Sequence, residues 1–461
     1  MRQVFLVVVI GIAFSFLHFR ESTGMLSPSL EEPSTKADST SFAVKFQEFR
    51  LNNGLRVILS EDHSAPTYSL CITYDVGSRD EREGKTGFAH LFEHMMFQGS
   101  ENVGKGEHFI LVENNGGYAN GQTTFDCTYY FEDLPINKID LGLFLEADRM
   151  RSLEITQENL DNQRKTVQEE RRLKIDNTPY GRTSEAILET AYDSFAYKHS
   201  VFGSMQDISE ATIKDAEEFF KAYYAPNNAV LALVGDFNTN ETLQKIKHYF
   251  EGILSSAKPS ELIIIEPEQK QERRKAIKDE FASDPRIDIV FKIPKGNTPD
   301  WYALSKTGFI LVNGRSSRLY KKLVAEKQLA ISVTGQVEER CGPSLFSITI
   351  MPKPGKRLSD IEEIVYSEVE RLKNEFVEDW ELQKVQRQIR LDRARQLQAT
   401  MRRAIPLSKS TALYGDPNLV NTIEDKYDEA KREDIRRVAT LYLKVSNRTV
   451  IITLPGSSEY K

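Results

Sequence analysis

The chain has 461 residues, with 68 acidic side chains against 61 basic ones, 7 histidines and 3 cysteines. At about 100–200 residues per domain, that length makes two to four domains. A formal net charge of −7 argues against a dedicated nucleic-acid binder, and a mean hydropathy of −0.45 excludes a polytopic membrane protein.

The N-terminus is cationic at Arg2 and then apolar from Val4 to Leu17, about 14 residues. Those are the proportions of a signal peptide, short for a membrane span and unlike an arginine-rich mitochondrial presequence. The expectation is a leader over 1–26, cleaved or kept as an anchor, followed by a Ser/Pro/Thr/Glu-rich linker over 27–42. The mature protein is therefore expected to be exported, periplasmic or secreted, with no stable membrane span once the leader is gone.

Asn52-Asn53-Gly54 between Gln47–Leu51 and Arg56–Leu59 is a hairpin signal, and Tyr68–Tyr74 is a third strand. Gly87–Met96 has helix character. The turn Asn114–Gly117 leads into a strand pair, Tyr118–Thr124 and Cys127–Leu134. Helices are expected over Lys138–Met150, Gln157–Lys174, Ser184–Tyr192 and Ile213–Tyr223, then a buried strand over Val230–Val234. Ser255–Arg274, rich in Pro, Ser, Glu and Lys, looks like a connector.

After it the order starts again. Ile287–Ile293 reads as a strand, Trp301–Val312 as a helix, Ser332–Val337 and Ser344–Met351 as strands, and Leu358–Phe376 and Trp380–Thr400 as long helices. The closing strands are alike: Asn228-Ala229-Val230-Leu231 before Gly235, and Asn447-Arg448-Thr449-Val450 before Gly456. The fold class is α+β: two homologous domains, 43–256 and 276–461, joined by a connector over 257–275. Each is a mainly antiparallel sheet with helices on one face. Cys71, Cys127 and Cys341 have no paired spacing and read as small core residues.

His90-Leu91-Phe92-Glu93-His94 is the strongest chemical signal. On a helix, i and i+4 share a face, so both imidazoles can bind one metal ion, and Glu93 lies beside them. This is the inverse of the His-Glu-x-x-His arrangement. The flanking Phe88, Ala89, Leu91, Phe92, Met95, Met96 and Phe97 bury the helix, and buried polar groups need partners. A catalytic zinc takes three protein ligands and leaves a fourth position open. Glu169 and Glu170, on the helix Gln157–Lys174, are both candidates for the third, and spacing does not choose between them.

Beyond that motif, the chain contains Gly117-Tyr118-Ala119-Asn120-Gly121-Gln122-Thr123-Thr124-Phe125-Asp126, Asn162–Arg172, Val234-Gly235-Asp236-Phe237 and Gly314-Arg315-Ser316-Ser317-Arg318-Leu319-Tyr320. With them it resembles the pitrilysin/insulinase family of zinc metallopeptidases, in the short two-domain subclass that includes mitochondrial processing peptidase-like and bacterial members. The resemblance implies a zinc endopeptidase with one Zn²⁺ per chain held by His90, His94 and Glu170. Asp176-Asn177-Thr178-Pro179 aligns so as to favour Glu170 over Glu169. Glu93 is then the general base, taking a proton from the attacking water and returning it to the leaving amine. Asn120, Gly121, Gln122 and Thr123 would form the strand that receives an extended peptide through main-chain hydrogen bonds.

Two departures stand out. Gln163 replaces a glutamate that many relatives carry, leaving it a candidate for supporting the ligands through a hydrogen bond only. Ala325 and Ile331 stand where the zinc-free half of the family's clamshell carries an arginine and a tyrosine, whereas Arg315, Arg318 and Tyr320 read as local structure. The expected partner is therefore a zinc-free homologous subunit in a heterodimer, rather than a second copy of this chain. The alternatives are a non-catalytic scaffold subunit and a mitochondrial presequence-processing subunit.

Overall fold

A computed structural model describes residues 43–257, 259 and 262–456; the expected leader and linker lie outside the described residues. The first half runs β1 (Gln47–Arg50), β2 (Arg56–Glu61), β3 (Thr67–Tyr74), α1 (Phe88–Met95), α2 (Glu107–Asn114), β4 (Tyr118–Thr123) and β5 (Thr128–Pro135). It continues with α3 (Ile139–Ser152), α4 (Gln157–Arg171), α5 (Gly181–Ala191), α6 (Phe195–Lys198), α7 (Met205–Ser209), α8 (Ile213–Tyr223), β6 (Ala229–Gly235) and α9 (Thr239–Phe250). The second half runs β7 (Arg273–Asp279), β8 (Arg286–Ile293), α10 (Pro299–Leu311), β9 (Ala330–Val337) and β10 (Ser344–Pro352). It closes with α11 (Leu358–Asn374), α12 (Asp379–Gln396), α13 (Met401–Tyr414), α14 (Leu419–Glu429), α15 (Arg432–Tyr442) and β11 (Arg448–Pro455). The expected connector 257–275 thus ends inside a strand, since Arg273–Lys275 already pair with Thr449–Ile451.

The two sheets repeat one topology. The first has the order β1-β2-β6-β3-β5-β4 and the second β7-β11-β8-β10-β9. In each, one pair is parallel (β2 with β6, β7 with β11) and the other pairs are antiparallel. An asparagine fixes the matching register. The Asn228 amide donates to Asp75 O and Tyr223 O, and the Asn447 amide donates to Lys292 O and Tyr442 O. The row Ala229–Tyr74–Thr128–Thr123 in the first sheet therefore corresponds to the row Arg448–Phe291–Phe346–Val337 in the second.

Each sheet packs its own helices on one face, as expected. Val57, Leu59, Leu70, Ile72 and Leu231 meet Leu91, Met95, Leu143 and Ile246; in the second half, Ile289, Phe291, Ile348 and Val450 meet Leu304, Val365 and Val438. The other face of each sheet is also apolar, because the central strands are buried on both sides and read as continuous runs such as Ala-Val-Leu-Ala-Leu-Val-Gly in β6. The halves cover these faces reciprocally. Ala404 and Leu407 of α13 pack on Ile58, Cys71, Val230 and Ala232, while Leu188 and Ala191 of α5 pack with Val290 and Leu345. Buried polar contacts accompany the exchange: Ser408 Oγ donates to Thr73 Oγ1 at 2.7 Å, and the Thr183 and Thr453 hydroxyls meet at 2.7 Å. No helix among the described residues is long and apolar enough to cross a membrane.

Candidate active site

The α1 helix starts on Gly87, whose φ of 79° is costly for other residues. A buried carboxylate caps it: Glu81 accepts from the N–H groups of Gly87 at 2.9 Å and Ala89 at 2.8 Å. The backbone of Gly203 crosses so close to Thr86 and Gly87 that a Cβ there would lie 2.2 Å from Gly87 N. That contact fixes the loop carrying Phe202, whose ring meets the His90 ring edge-on at 5.0 Å.

On α1, one helical turn brings His90 and His94 together, with ring centroids 4.8 Å apart. Glu170, near the end of α4, closes the set. Its Oε2 lies 3.6 Å from His90 Nε2 and 3.2 Å from His94 Nε2. Two ligands about 2.0–2.1 Å from one tetrahedral ion would be about 3.4 Å apart, so these spacings fit a zinc-sized ion. Glu169 turns outward and pairs with Arg172 at 2.9 Å, so of the two glutamates Glu170 is the one that lies beside the histidines. The charge states suit ligation as well. Burial, and behind it the neighbouring His94, hold the His90 imidazole down to about 4, so it is neutral near pH 7. The contact with His94, outweighing burial and aided by Lys174, draws the Glu170 carboxyl down to about 2.

Glu93 is buried next to the trio. Its Oε2 accepts from the Thr123 hydroxyl at 2.6 Å. Burial raises its carboxyl above the ordinary range, against that hydrogen bond. Gly121 faces the same side chain, so closely that a Cβ there would lie 3.1 Å from Glu93 Cγ and Oε1.

Of the four residues expected on the substrate strand, Gly121 and Thr123 thus turn toward Glu93, while Asn120 and Gln122 are exposed. The strand is the edge of its sheet. Thr124 N–H donates to Cys127 O, so alternation along the pair points the N–H and C=O groups of Ala119, Gly121 and Thr123 away from β5. Asn120 Oδ1 takes the Gly121 N–H at 2.8 Å. Asn120, Gly121, Gln122 and Thr123 border a groove of about 780 Å³ that also contains His90, His94, Glu170, Lys174 and the rings of Phe97, Phe109, Phe131 and Phe202. Gln163 lines the groove too, but its amide donates to Asn162 at 2.8 Å rather than to a histidine.

Several contributors went unread in the sequence. Lys174 was legible as an i+4 partner of Glu170, whereas nothing local announced Glu81 or Phe202. A second buried cluster, His108, Glu132 and Glu146, also has metal-type donors. Its cation is already present, since Arg149 donates through Nε and Nη2 to both oxygens of Glu146 and lies 4.4 Å from the centre of the Tyr130 ring. Arg318, in turn, is held locally by Glu381 at 2.8 and 2.6 Å.

Known proteins share this arrangement of sequence and fold. Residues 56–204 match the profile described as Insulinase (Peptidase family M16), and residues 210–389 match that described as Peptidase M16 inactive domain. The zinc protease PqqE of Helicobacter pylori is 28% identical over 442 residues, which cover 94% of this chain and 98% of that protein. The mitochondrial-processing peptidase subunit beta of Bos taurus is 22% identical over 401 residues, 85% of this chain and 81% of that one. Among solved structures, a protease from Helicobacter pylori matches with a TM-score of 0.85 at 28% identity, covering 90% of this chain and 100% of that chain. The periplasmic protease PqqL of Escherichia coli matches with a TM-score of 0.74 at 18% identity, covering 89% of this chain but 47% of its own. The chain belongs to the pitrilysin/insulinase (M16) family of peptidases.

Proposed function

We propose that the chain is a zinc-dependent endopeptidase acting on peptides or unfolded polypeptides, with one Zn²⁺ held by His90, His94 and Glu170 of a domain spanning 43–256. The observation that carries this reading is the convergence of three metal-type donor atoms, all within 4.8 Å of one another, beside Glu93 and the edge strand β4. Zinc in such a site supplies a Lewis acid and an acidified water. Glu93 is the base that takes the proton and delivers it to the leaving amine. Burial makes that carboxylate more basic, and Thr123 holds one of its oxygens beside the groove. The edge of β4 binds the substrate backbone in extended form, which makes little demand on its sequence.

The chain acts as the catalytic half of a two-subunit clamshell, with a zinc-free homologue as its partner. Ala325 and Ile331 are exposed, and neither can hold a carboxylate or an oxyanion. The fold fills 47% of the PqqL chain, as one half of a longer protein would, and relatives are named as subunits. A purely non-catalytic subunit is disfavoured, because the profile described as inactive leaves out 56–204, where the whole donor set lies. The leader over 1–26 would direct export.

The test is zinc stoichiometry together with cleavage of a quenched peptide, by the purified chain alone and with any zinc-free homologue that copurifies from the native source. One zinc per chain and cleavage that rises with the partner are expected. Absence of bound zinc sinks the enzymatic reading, and a fully active homodimer sinks the missing-half reading.

A further inference from the structure

Lys174 lies four residues beyond Glu170, in the π-helical turn Arg172–Asp176 that directly follows α4. Such turns widen a helix locally and are frequent at functional sites. Lys174 Nζ donates to Glu170 Oε1 at 2.6 Å, whereas the oxygen facing the two imidazoles is Oε2. The same ammonium lies 5.6 Å from the centre of the Phe202 ring, the ring that packs on His90. Phe202 is held in turn by the close approach of Gly203 to Gly87 and by Arg171, which donates to Gly203 O. Lys174 therefore sits between a fixed ring and one oxygen of the third donor.

We propose that Lys174 is a positioning residue that occupies Glu170 Oε1, leaves only Oε2 to the metal, and sets the affinity and coordination number of the site. The proposal rests on reading His90, His94 and Glu170 as that site. Two physical consequences follow. A carboxylate with one oxygen held by an ammonium enters as a single-atom ligand, which keeps a position open for water and substrate. A positive charge next to a divalent cation also weakens its binding, and the open groove screens this only in part. A lysine here makes the ion more loosely held and less crowded than the three protein donors alone would. A long apolar side chain at 174 frees Oε1, allows Glu170 to bind through both oxygens and removes the repulsion.

The experiment compares wild type, Lys174→Met, Lys174→Arg and His94→Ala for Zn²⁺ affinity, by competition with a chromophoric chelator. The visible spectrum of the Co²⁺-substituted proteins is recorded alongside. Lys174→Met is expected to bind Zn²⁺ about tenfold more tightly. Its Co²⁺ bands should weaken, as they do when coordination rises from four to five. Lys174→Arg keeps both the charge and the hydrogen bond, so it should restore wild-type affinity and spectrum. His94→Ala should abolish stoichiometric binding. If wild type binds one ion, His94→Ala binds none, and Lys174→Met matches wild type or binds more weakly, the role of Lys174 is overturned while the site stands. If wild type fails to bind, or His94→Ala still binds, the site itself is wrong and the proposal goes with it.

Discussion

Gly308 stands in the second half of the chain where Glu93 stands in the first. Glu93 reaches Thr123 on the edge strand β4, and Gly308 packs on Val337, the residue that the shared register matches to Thr123. A Cβ on Gly308 would lie 2.9 Å from Val337 Cγ2, so the helix there lies flat on the strand with no room for a carboxylate. Counting back three and forward one, as from Glu93 to His90 and His94, gives Ser305 and Phe309. Ser305 is spent on a hydrogen bond with Tyr427 at 3.0 Å. One topology thus carries a polar, groove-facing helix in one half and a sealed helix in the other.

That contrast makes Glu93 the residue on which the proposed chemistry turns. Glu93→Gln keeps the size and the contact with Thr123 but cannot accept the proton. It should retain full zinc content and lose at least a hundredfold in kcat, the usual scale for removing a general base. Thr123→Val removes the hydroxyl that orients Glu93 and should cost about tenfold in kcat with KM nearly unchanged. Metal analysis and steady-state cleavage of a quenched peptide check both. Full activity in Glu93→Gln would remove Glu93 from the mechanism.

Most strands of both halves, and the helix with both histidines, were legible because they depend on local pattern. Hydrophobic period, the Asn-Asn-Gly turn and i,i+4 spacing are properties of neighbouring residues. The exchange of α13 and α5 between halves was not legible, since it joins residues more than a hundred positions apart: Leu407 to Val230, Leu188 to Val290. The sequence does show that the second face of each sheet is apolar, but not what covers it. The same limit applied at the site. His90, Glu93 and His94 announce themselves together, whereas the Glu81 cap and the Phe202 loop reach α1 only through tertiary packing.

The exchange makes the folding of the halves interdependent. Leu407 belongs to the second half by sequence but is fully buried against the first sheet. Leu407→Ala should cost about 2–5 kcal/mol, the range for a buried leucine truncated in a rigid core. Calorimetry should show one transition for both halves, moving to lower temperature as a unit. Residues 43–256 produced alone would expose Ile58, Cys71, Val230 and Ala232 and should bind hydrophobic dyes or aggregate. Two separable transitions, or a well-folded isolated first half, would contradict this.

Gly121 tests the fit between the edge strand and Glu93. An added Cβ would meet Glu93 Cγ and Oε1 at 3.1 Å and Tyr130 Cδ1 at 3.2 Å. The Glu93 side chain can give a few tenths of an ångström, so Gly121→Ala should fold normally and lose less than about tenfold in activity. Valine adds two further carbons against the same groups and must displace the carboxylate. Gly121→Val should keep zinc yet fall about a hundredfold or more. Equal activity of the two variants would mean that the strand lies farther from Glu93.

The buried cluster behind the edge strand should set two opposing pH dependences. Glu132 pairs across β5 and β4 with Ala119, and both of its oxygens lack a hydrogen-bond partner among the described residues. Burial, partly offset by Arg149, raises its carboxyl to about 7 from an ordinary 4.5. Folding therefore favours its protonated form, and this group's contribution to stability falls as pH rises from about 4.5 to 7. His108, with Nε2 3.6 Å from Glu132 Oε2, behaves in the opposite sense. Burial, then Arg149, lowers its imidazole to about 3 from an ordinary 6.5, so its contribution falls as pH drops below 6.5. In wild type the two slopes oppose each other between pH 4.5 and 6.5. Glu132→Gln removes one, so its stability relative to wild type should rise by up to about 3 kcal/mol as pH goes from 4.5 to 7, seen as a progressively higher relative melting temperature. His108→Gln removes the other, and it should gain on wild type as pH falls from 6.5 to 4.5. Thermal melts of the three proteins at half-unit intervals read this directly. Parallel curves would show that neither group changes its protonation on folding, and that a water or another partner already satisfies the cluster.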